Sequence, residues 1–229
     1  MPAPPFAAVL FDLDDTLYLE RNYVRSGYAA IAQRLREQHG TEDRYEDWLW
    51  QRFTSGRSAG AFDALSEAFG LGLTREQIRD LVGVYRGHRP DITPLPGVVS
   101  LLDSLHGRCR LGLLSDGFLP AQQLKLDALA LADRFQAVLF TESLGREMWK
   151  PNPRGFELLS ERLDAPPQSC VYIADNPAKD FLAPNGLGWH TLRLRIAGQL
   201  HYDRQADSPH ARAKQTATSL KALAEALGV

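Results

Sequence analysis

Phe6-Ala7-Ala8-Val9-Leu10-Phe11-Asp12-Leu13-Asp14-Asp15-Thr16-Leu17-Tyr18 joins a short apolar run to an acidic cluster, and its reading decides the fold. The run from Phe6 to Phe11 lies between prolines and acids, which predicts a buried strand. Four similar runs follow much later: Arg110 to Ser115, Ala137 to Thr141, Cys170 to Ala174 and Trp189 to Leu194. They are apolar throughout rather than alternating, as strands covered on both faces of a parallel sheet are. Helical spacing separates them. Val98, Leu101, Leu102 and Leu105 precede a stop at Gly107, and Pro153 suits a first helical position before Phe156, Leu159 and Leu163. A last helix is expected from Ser219 to Leu227. This alternation predicts an α/β fold: a three-layer, Rossmann-like core with a parallel sheet.

The pattern breaks between residues 19 and 90. Val24, Tyr28, Ile31 and Leu35 mark one amphipathic helix, Trp48, Leu49 and Phe53 a second, and Phe62, Leu65 and Phe69 a third. Thr74 and Gln77 form a capping box ahead of a fourth. The expected organisation is an α/β core of residues 1–18 and 91–229 with an α-helical cap domain at 19–90. Ligands of open α/β sheets bind beyond the carboxyl ends of the strands. An insert rooted in the first such loop is expected to act as a lid. The polar stretch from Gly198 to Lys214 is read as a surface loop or a ragged helix.

Composition excludes several classes. The chain has 229 residues, 44% of them apolar, enough for a sizeable core. Lys plus Arg is 26 and Asp plus Glu is 28, so the net charge of −2 gives no pull toward a nucleic acid polymer or an anionic membrane. No apolar run approaches a membrane span of about 20 residues. Met1-Pro2-Ala3-Pro4-Pro5 shows no signal-peptide pattern. Cys109 and Cys170 edge apolar runs and read as buried free thiols, consistent with a cytoplasmic protein. Trp48 and Trp50 read as core residues, and His201 and His210 as loop residues. Oligomeric state stays open between monomer and homodimer.

The strand ends carry the chemistry. Asp12 and Asp14 stand two apart and project to one side if the chain stays extended. Converging carboxylates repel, and a hard divalent cation such as Mg2+ relieves that repulsion. A carboxylate can also attack phosphorus, and a second acid can protonate the leaving oxygen and then activate water. After the second strand come Ser115, Asp116 and Gly117, a hydroxyl and a Gly-containing turn suited to a phosphoryl oxygen. After the third comes Lys150, which can offset transition-state charge. The fourth ends at Asp175, with Asp180 five residues on. Read singly, each also fits an ordinary turn or a solvated charge. In a parallel sheet, however, these ends converge on one edge.

In this order the motifs make the chain resemble the haloacid dehalogenase superfamily of phosphohydrolases, over nearly its whole length. The resemblance implies that Asp12 is the nucleophile and Asp14 the general acid and base. It implies that Thr16 and Ser115 hold phosphoryl oxygens and that Lys150 steadies nucleophile and phosphate. Magnesium would be held by the Asp12 side chain, the Asp14 main-chain carbonyl and Asp175, with Asp180 supporting the metal shell. The helical insert matches the cap of one large branch. Asp14 points to a phosphate ester rather than a carbon–halogen bond, because haloalkanoic acid dehalogenases of the superfamily typically lack that acid. Ala174 departs from the Gly that many relatives carry. The substrate expected is a small phosphorylated molecule, a nucleotide or a sugar phosphate. Its choice is expected from the cap, Gly117 and Phe118, while Arg21, Asn22 and Arg25 are either substrate contacts or exposed helix residues. A phosphomutase and a regulatory module without turnover are the rival readings. Asp15 has no assigned role.

Overall fold

The computed structural model describes residues 5–40 and 44–229. Residues 1–4, on which most of the signal-peptide reading and the start of the expected core rest, lie outside them, as do 41–43 of the insert. The chain runs β1 (Ala8–Phe11), α1 (Glu20–His39), α2 (Tyr45–Thr54), α3 (Ala61–Ala68), α4 (Arg75–Gly87) and α5 (Val98–Leu105). It continues through β2 (Arg110–Ser115), α6 (Ala121–Leu129), β3 (Ala137–Phe140), α7 (Arg154–Arg162) and β4 (Cys170–Ala174). Then come α8 (Leu182–Gly186), β5 (His190–Leu194), β6 (Gln215–Ala217) and α9 (Leu220–Leu227). Two compact units result, Met1–Arg21 with Thr93–Val229, and Asn22–Ile92.

The first unit is an α/β core of Rossmann-like form. Its six strands are all parallel, in the order β3-β2-β1-β4-β5-β6. Every residue of β1 and β4 is buried, which explains why these strands read as unbroken apolar runs. Leu10, Leu114, Leu139 and Tyr172 pack with Phe156 and Leu159 of α7 on one face. Val9, Phe11, Leu111, Leu113 and Ile173, offset by one residue, are buried as well. The chain leaves the central strand β1 for β2 on one side and later returns to β4 on the other. That reversal makes a topological switch point at the carboxyl ends of β1 and β4, where parallel sheets bind ligands.

Three sequence expectations need correction. The sheet has six strands where five were read, because β6 is a three-residue edge strand with only Ala217 buried and no apolar run to betray it. Pro153 stands just before α7 as its N-cap rather than inside its first turn. Helix α6 was implied by the alternation of strands and helices, but no residues were assigned to it. Its buried face is Ala121, Gln122, Lys125, Leu126 and Leu129, so two polar residues occupy positions that the helical pattern reserves for apolar ones.

The second unit holds helices around an aromatic core. Val24, Tyr28, Ile31 and Leu35 of α1 meet Tyr45 and Leu49 of α2, Leu65 of α3 and Leu81 of α4. Trp48 and Trp50 pack at its edge, as the core reading expected. The capping box at the start of α4 is present: Gln77 N–H donates to Thr74 Oγ1 at 3.2 Å and Thr74 N–H to Gln77 Oε1 at 2.8 Å. A Cβ on Gly27 would stand 2.4 Å from the Tyr85 ring, so glycine is what lets α1 and α4 touch there. Of the three early polar residues, Arg25 lies over the Trp50 ring at 5.2 Å and pairs with Glu46 at 3.6 Å, and Asn22 is exposed. Among the described residues no helix is long and apolar enough to cross a membrane.

Candidate active site

The ladder between β1 and β4 continues one residue beyond β1: Asp12 N–H donates to Ile173 O at 2.9 Å. This places the Asp12 side chain at the sheet edge, where Asp175 leaves β4. Asp12, Asp175 and Asp180 are all buried, and each offers an oxygen within 4.8 Å of the others. Lys150 reaches into the cluster. Its ammonium donates to Asp12 Oδ1 at 2.6 Å and to Tyr172 Oη at 2.8 Å, and forms an ion pair with Asp180 Oδ1 at 2.9 Å. Asp180 Oδ2 accepts from Asn176 N–H at 2.9 Å, closing the turn after β4. The Arg193 guanidinium fixes the Asp175 main-chain oxygen at 2.9 Å. Asp175 Oδ2 and Thr16 Oγ1 are buried here with no hydrogen-bond partner among the described residues, and Asp180 Oδ1 is held by its ion pair with Lys150 alone.

Three carboxylates against one lysine leave an excess of negative charge out of water. Burial, only partly offset by Lys150, pushes Asp12 up to about 6. Burial and the neighbouring Asp180 and Asp12 push Asp175 up to about 9. Burial alone would lower Lys150, but Asp12 and Asp180 outweigh it and hold the ammonium well above its ordinary range.

Asp14 belongs to a separate set of contacts. Its side chain is not part of the three-carboxylate cluster. Lys125 Nζ lies 2.8 Å from Asp14 Oδ1, the Tyr18 hydroxyl donates to the same oxygen, and Gln122 Nε2 donates to Asp14 Oδ2 at 2.9 Å. Burial would raise this carboxyl, but Lys125 and the three hydrogen bonds outweigh it and hold it low.

The β2 end departs from expectation in two residues. Ser115 Oγ faces the site and accepts from Gln122 Nε2 at 2.7 Å. Asp116, however, spends its side chain on bracing. Oδ1 accepts from Thr141 Oγ1 at 2.8 Å and from Lys150 N–H at 3.2 Å, and Oδ2 pairs with Lys179 at 3.4 Å. Burial would raise Asp116, yet Lys150 and Lys179 hold it low. Gly117 is required by crowding: at φ +135°, a Cβ would lie 2.8 Å from Gln122 Cδ. Phe118 stacks edge-on against Trp149 and lies under Arg146, whose guanidinium is 4.4 Å from the ring centre.

Tyr18, Gln122, Lys125, Tyr172 and Lys179 were all missed in the sequence. Only the spacing of Gln122 and Lys125, one helical turn apart, offered a signal, and it resembles any polar helix face. Asp15 also gains a role. At φ 53° it turns its carboxylate to Glu20 N–H at 2.8 Å and Leu200 N–H at 2.6 Å, and Gln199 Nε2 donates to its main-chain oxygen at 2.7 Å. Cys170 is buried and Cys109 half-buried, both as free thiols. His201 is half-buried and His210 exposed.

Fold and site together define a hydrolase-type α/β domain with a carboxylate cluster at its sheet switch point. The family model described as haloacid dehalogenase-like hydrolase matches residues 6–188, and the chain belongs to that family and is a hydrolase. A glyceraldehyde 3-phosphate phosphatase of Methanopyrus kandleri is 30% identical over 200 residues, covering 82% of this chain and 83% of the relative. The pyrimidine 5′-nucleotidase YjjG of Escherichia coli is 34% identical over 103 residues, covering 44% of this chain and 45% of the relative. Among solved structures, the HAD-hydrolase YfnB of Bacillus subtilis, bound to magnesium, has a TM-score of 0.67. It is 18% identical and covers 98% of this chain and 99% of its own.

Proposed function

We propose that the protein hydrolyses small-molecule phosphate monoesters through a covalent aspartyl-phosphate on Asp12. One observation carries the reading. Three buried carboxylates share one sheet edge with Lys150, while Asp175 Oδ2 and Thr16 Oγ1 stay buried without a hydrogen-bond partner among the described residues. Buried polar atoms in folded proteins are nearly always satisfied, so both atoms suit ligand oxygens or a cation.

The donor set fits magnesium, which takes hard oxygen ligands. Asp12, Asp175 and the Asp14 main-chain carbonyl would hold it, with Asp180 behind them. When bound, the cation would offset the charge that otherwise raises Asp12 and Asp175, and would stabilise negative charge on the phosphoryl oxygens.

The protein's own residues supply the rest. An Asp12 carboxylate oxygen attacks phosphorus as the bond to the ester oxygen breaks, and Asp14 gives a proton to that oxygen from its protonated form, the minor one while Lys125 and its hydrogen bonds hold the carboxyl low. Asp14 then takes a proton from water, whose oxygen attacks the aspartyl-phosphate, releasing inorganic phosphate and restoring Asp12. Lys150 keeps Asp12 Oδ1 fixed and balances its charge, and the Thr16 and Ser115 hydroxyls bind phosphoryl oxygens. The relatives named for a triose phosphate and a pyrimidine nucleotide support a small monoester substrate. The helical insert leaves the chain directly after the Asp12 loop, and it serves as the cap that selects among such esters.

The test is phosphate release with magnesium from a panel holding a triose phosphate, sugar phosphates and nucleoside monophosphates. Asp12→Asn should lose at least about a thousandfold in kcat, as removal of a nucleophile does. Turnover by that variant at the normal rate would sink the covalent mechanism. Isomerisation without phosphate release would mean a mutase instead.

A further inference from the structure

Helix α6 buries a glutamine and a lysine where its pattern calls for apolar residues. Gln122 and Lys125 are 1% and 4% exposed. Sequestering a lysine is costly unless its charge is met, and here Asp14 meets it at 2.8 Å. The Gln122 amide is more heavily used. Its two hydrogens face three acceptors: Asp14 Oδ2 at 2.9 Å, Ser115 Oγ at 2.7 Å and the Asp116 main-chain oxygen at 2.9 Å. Because Ser115 Oγ accepts from Gln122, its own proton is turned elsewhere. Its one protein acceptor among the described contacts is Asp116 O, at 3.5 Å, a weak hold. Gly117 has no Cβ where Gln122 must lie. Tyr18, from the loop that bears Asp14, completes the ring of donors around that carboxylate.

We infer that Gln122 and Lys125, with Tyr18, are positioning residues for the reaction. They hold the Asp14 carboxylate in the orientation for proton transfer, and Gln122 leaves the Ser115 hydroxyl proton free for the phosphoryl group. The inference rests on the hydrolysis proposed above. It distinguishes two lysines of one site: Lys150 acts on the nucleophile side, and Lys125 on the Asp14 side. A clamp of this kind affects esters unequally. An alkyl alcohol must be protonated as it leaves, whereas p-nitrophenol leaves readily as its anion and needs little help from Asp14.

The experiment compares Lys125→Met, Lys125→Arg and Tyr18→Phe on glycerol phosphate and on p-nitrophenyl phosphate, with Asp12→Asn alongside. Although losing Lys125 removes a charge that disfavours the proton on Asp14, it also frees that carboxyl from its fixed orientation, so Lys125→Met should lose about a hundredfold in kcat on glycerol phosphate and less than about tenfold on p-nitrophenyl phosphate, the scale of general acid catalysis. KM and the magnesium concentration for half-saturation should hardly move. Lys125→Arg should recover part of the loss. Tyr18→Phe keeps the buried ring and removes one donor, so it should show the same selectivity more weakly, even if Lys125→Met fails to fold. Equal losses on both esters, or unchanged kcat with raised KM, would overturn the positioning role. Full activity in both variants beside an inactive Asp12→Asn would overturn it while leaving the hydrolysis reading intact. An active Asp12→Asn would overturn both.

Discussion

The two units of this protein bury different things. In the helical unit Asn22–Ile92, Ser66 is the one buried polar side chain among the described residues, and aromatic and aliphatic groups fill the rest. The α/β unit buries Asp12, Asp15, Asp116, Asp175, Asp180, Lys125, Lys150 and Arg193. Burying ionised groups is expensive, and pairing often only breaks even. A fold that needed stability alone would put apolar residues there, as the helical unit does. The concentration of charge at one sheet edge is a cost in stability that the proposed chemistry would explain.

That contrast can be broken by experiment. The largest effect belongs to Lys150. Lys150→Met would strip Asp12 and Asp180 of their counter-charge at 2.6 and 2.9 Å, at a cost of about 3–5 kcal/mol in the metal-free protein. It should also lower kcat by about 10² or more on every ester, without the leaving-group selectivity expected of Lys125. Denaturant unfolding and steady-state kinetics check both halves, and a stable, active variant would remove Lys150 from the site. Next comes Leu49, fully buried in the helical unit. Leu49→Ala should cost about 2–5 kcal/mol, comparable in size, yet leave kcat on p-nitrophenyl phosphate close to that of the parent protein. A collapse of kcat there would blur the division between the two units.

The smallest effect concerns pH. Asp175, pushed up to about 9 when folded, prefers its proton in the native state far more than in the unfolded chain, where an aspartate has its ordinary value of about 4. Its favourable contribution is fully present below about 4 and is lost as pH rises through 9. The metal-free protein should therefore melt at lower temperature at pH 9 than at pH 6. Each kcal/mol corresponds to about 2–4 °C in a chain of this size. Magnesium should flatten the slope by standing in for the proton. A slope of opposite sign would mean that the cluster is not short of positive charge.

Much of this was legible in the sequence, and the reasons are specific. Strands β1 to β5 announce themselves because both faces of a parallel sheet are apolar. Asp12, Ser115, Lys150 and Asp175 could be found because each follows such a run. Strand β6 could not, since an edge of three residues with one buried has no hydrophobic signature. Helix α6 was hidden by the residues that make it interesting: Gln122 and Lys125 disrupt its apolar stripe. Tyr18 and Tyr172 look like ordinary core aromatics until their hydroxyls are placed. Asp116 and Gly117 were identifiable as part of a turn, but whether they face a ligand or brace the protein depends on Thr141, Lys179 and Gln122, which only folding brings near.

The bonds from Asp15 to Gln199 and Leu200 span more than 180 residues. The acidic loop leaves the ribosome well over a hundred residues ahead of these partners. A nascent chain can build its early helices as they emerge. It cannot lock the loop that carries Asp12 and Asp14 until residue 200 is free to fold back. Synthesis thus leaves the loop of Asp12 and Asp14 without its anchor until that point, and a chain cut short before residue 200 would lack it.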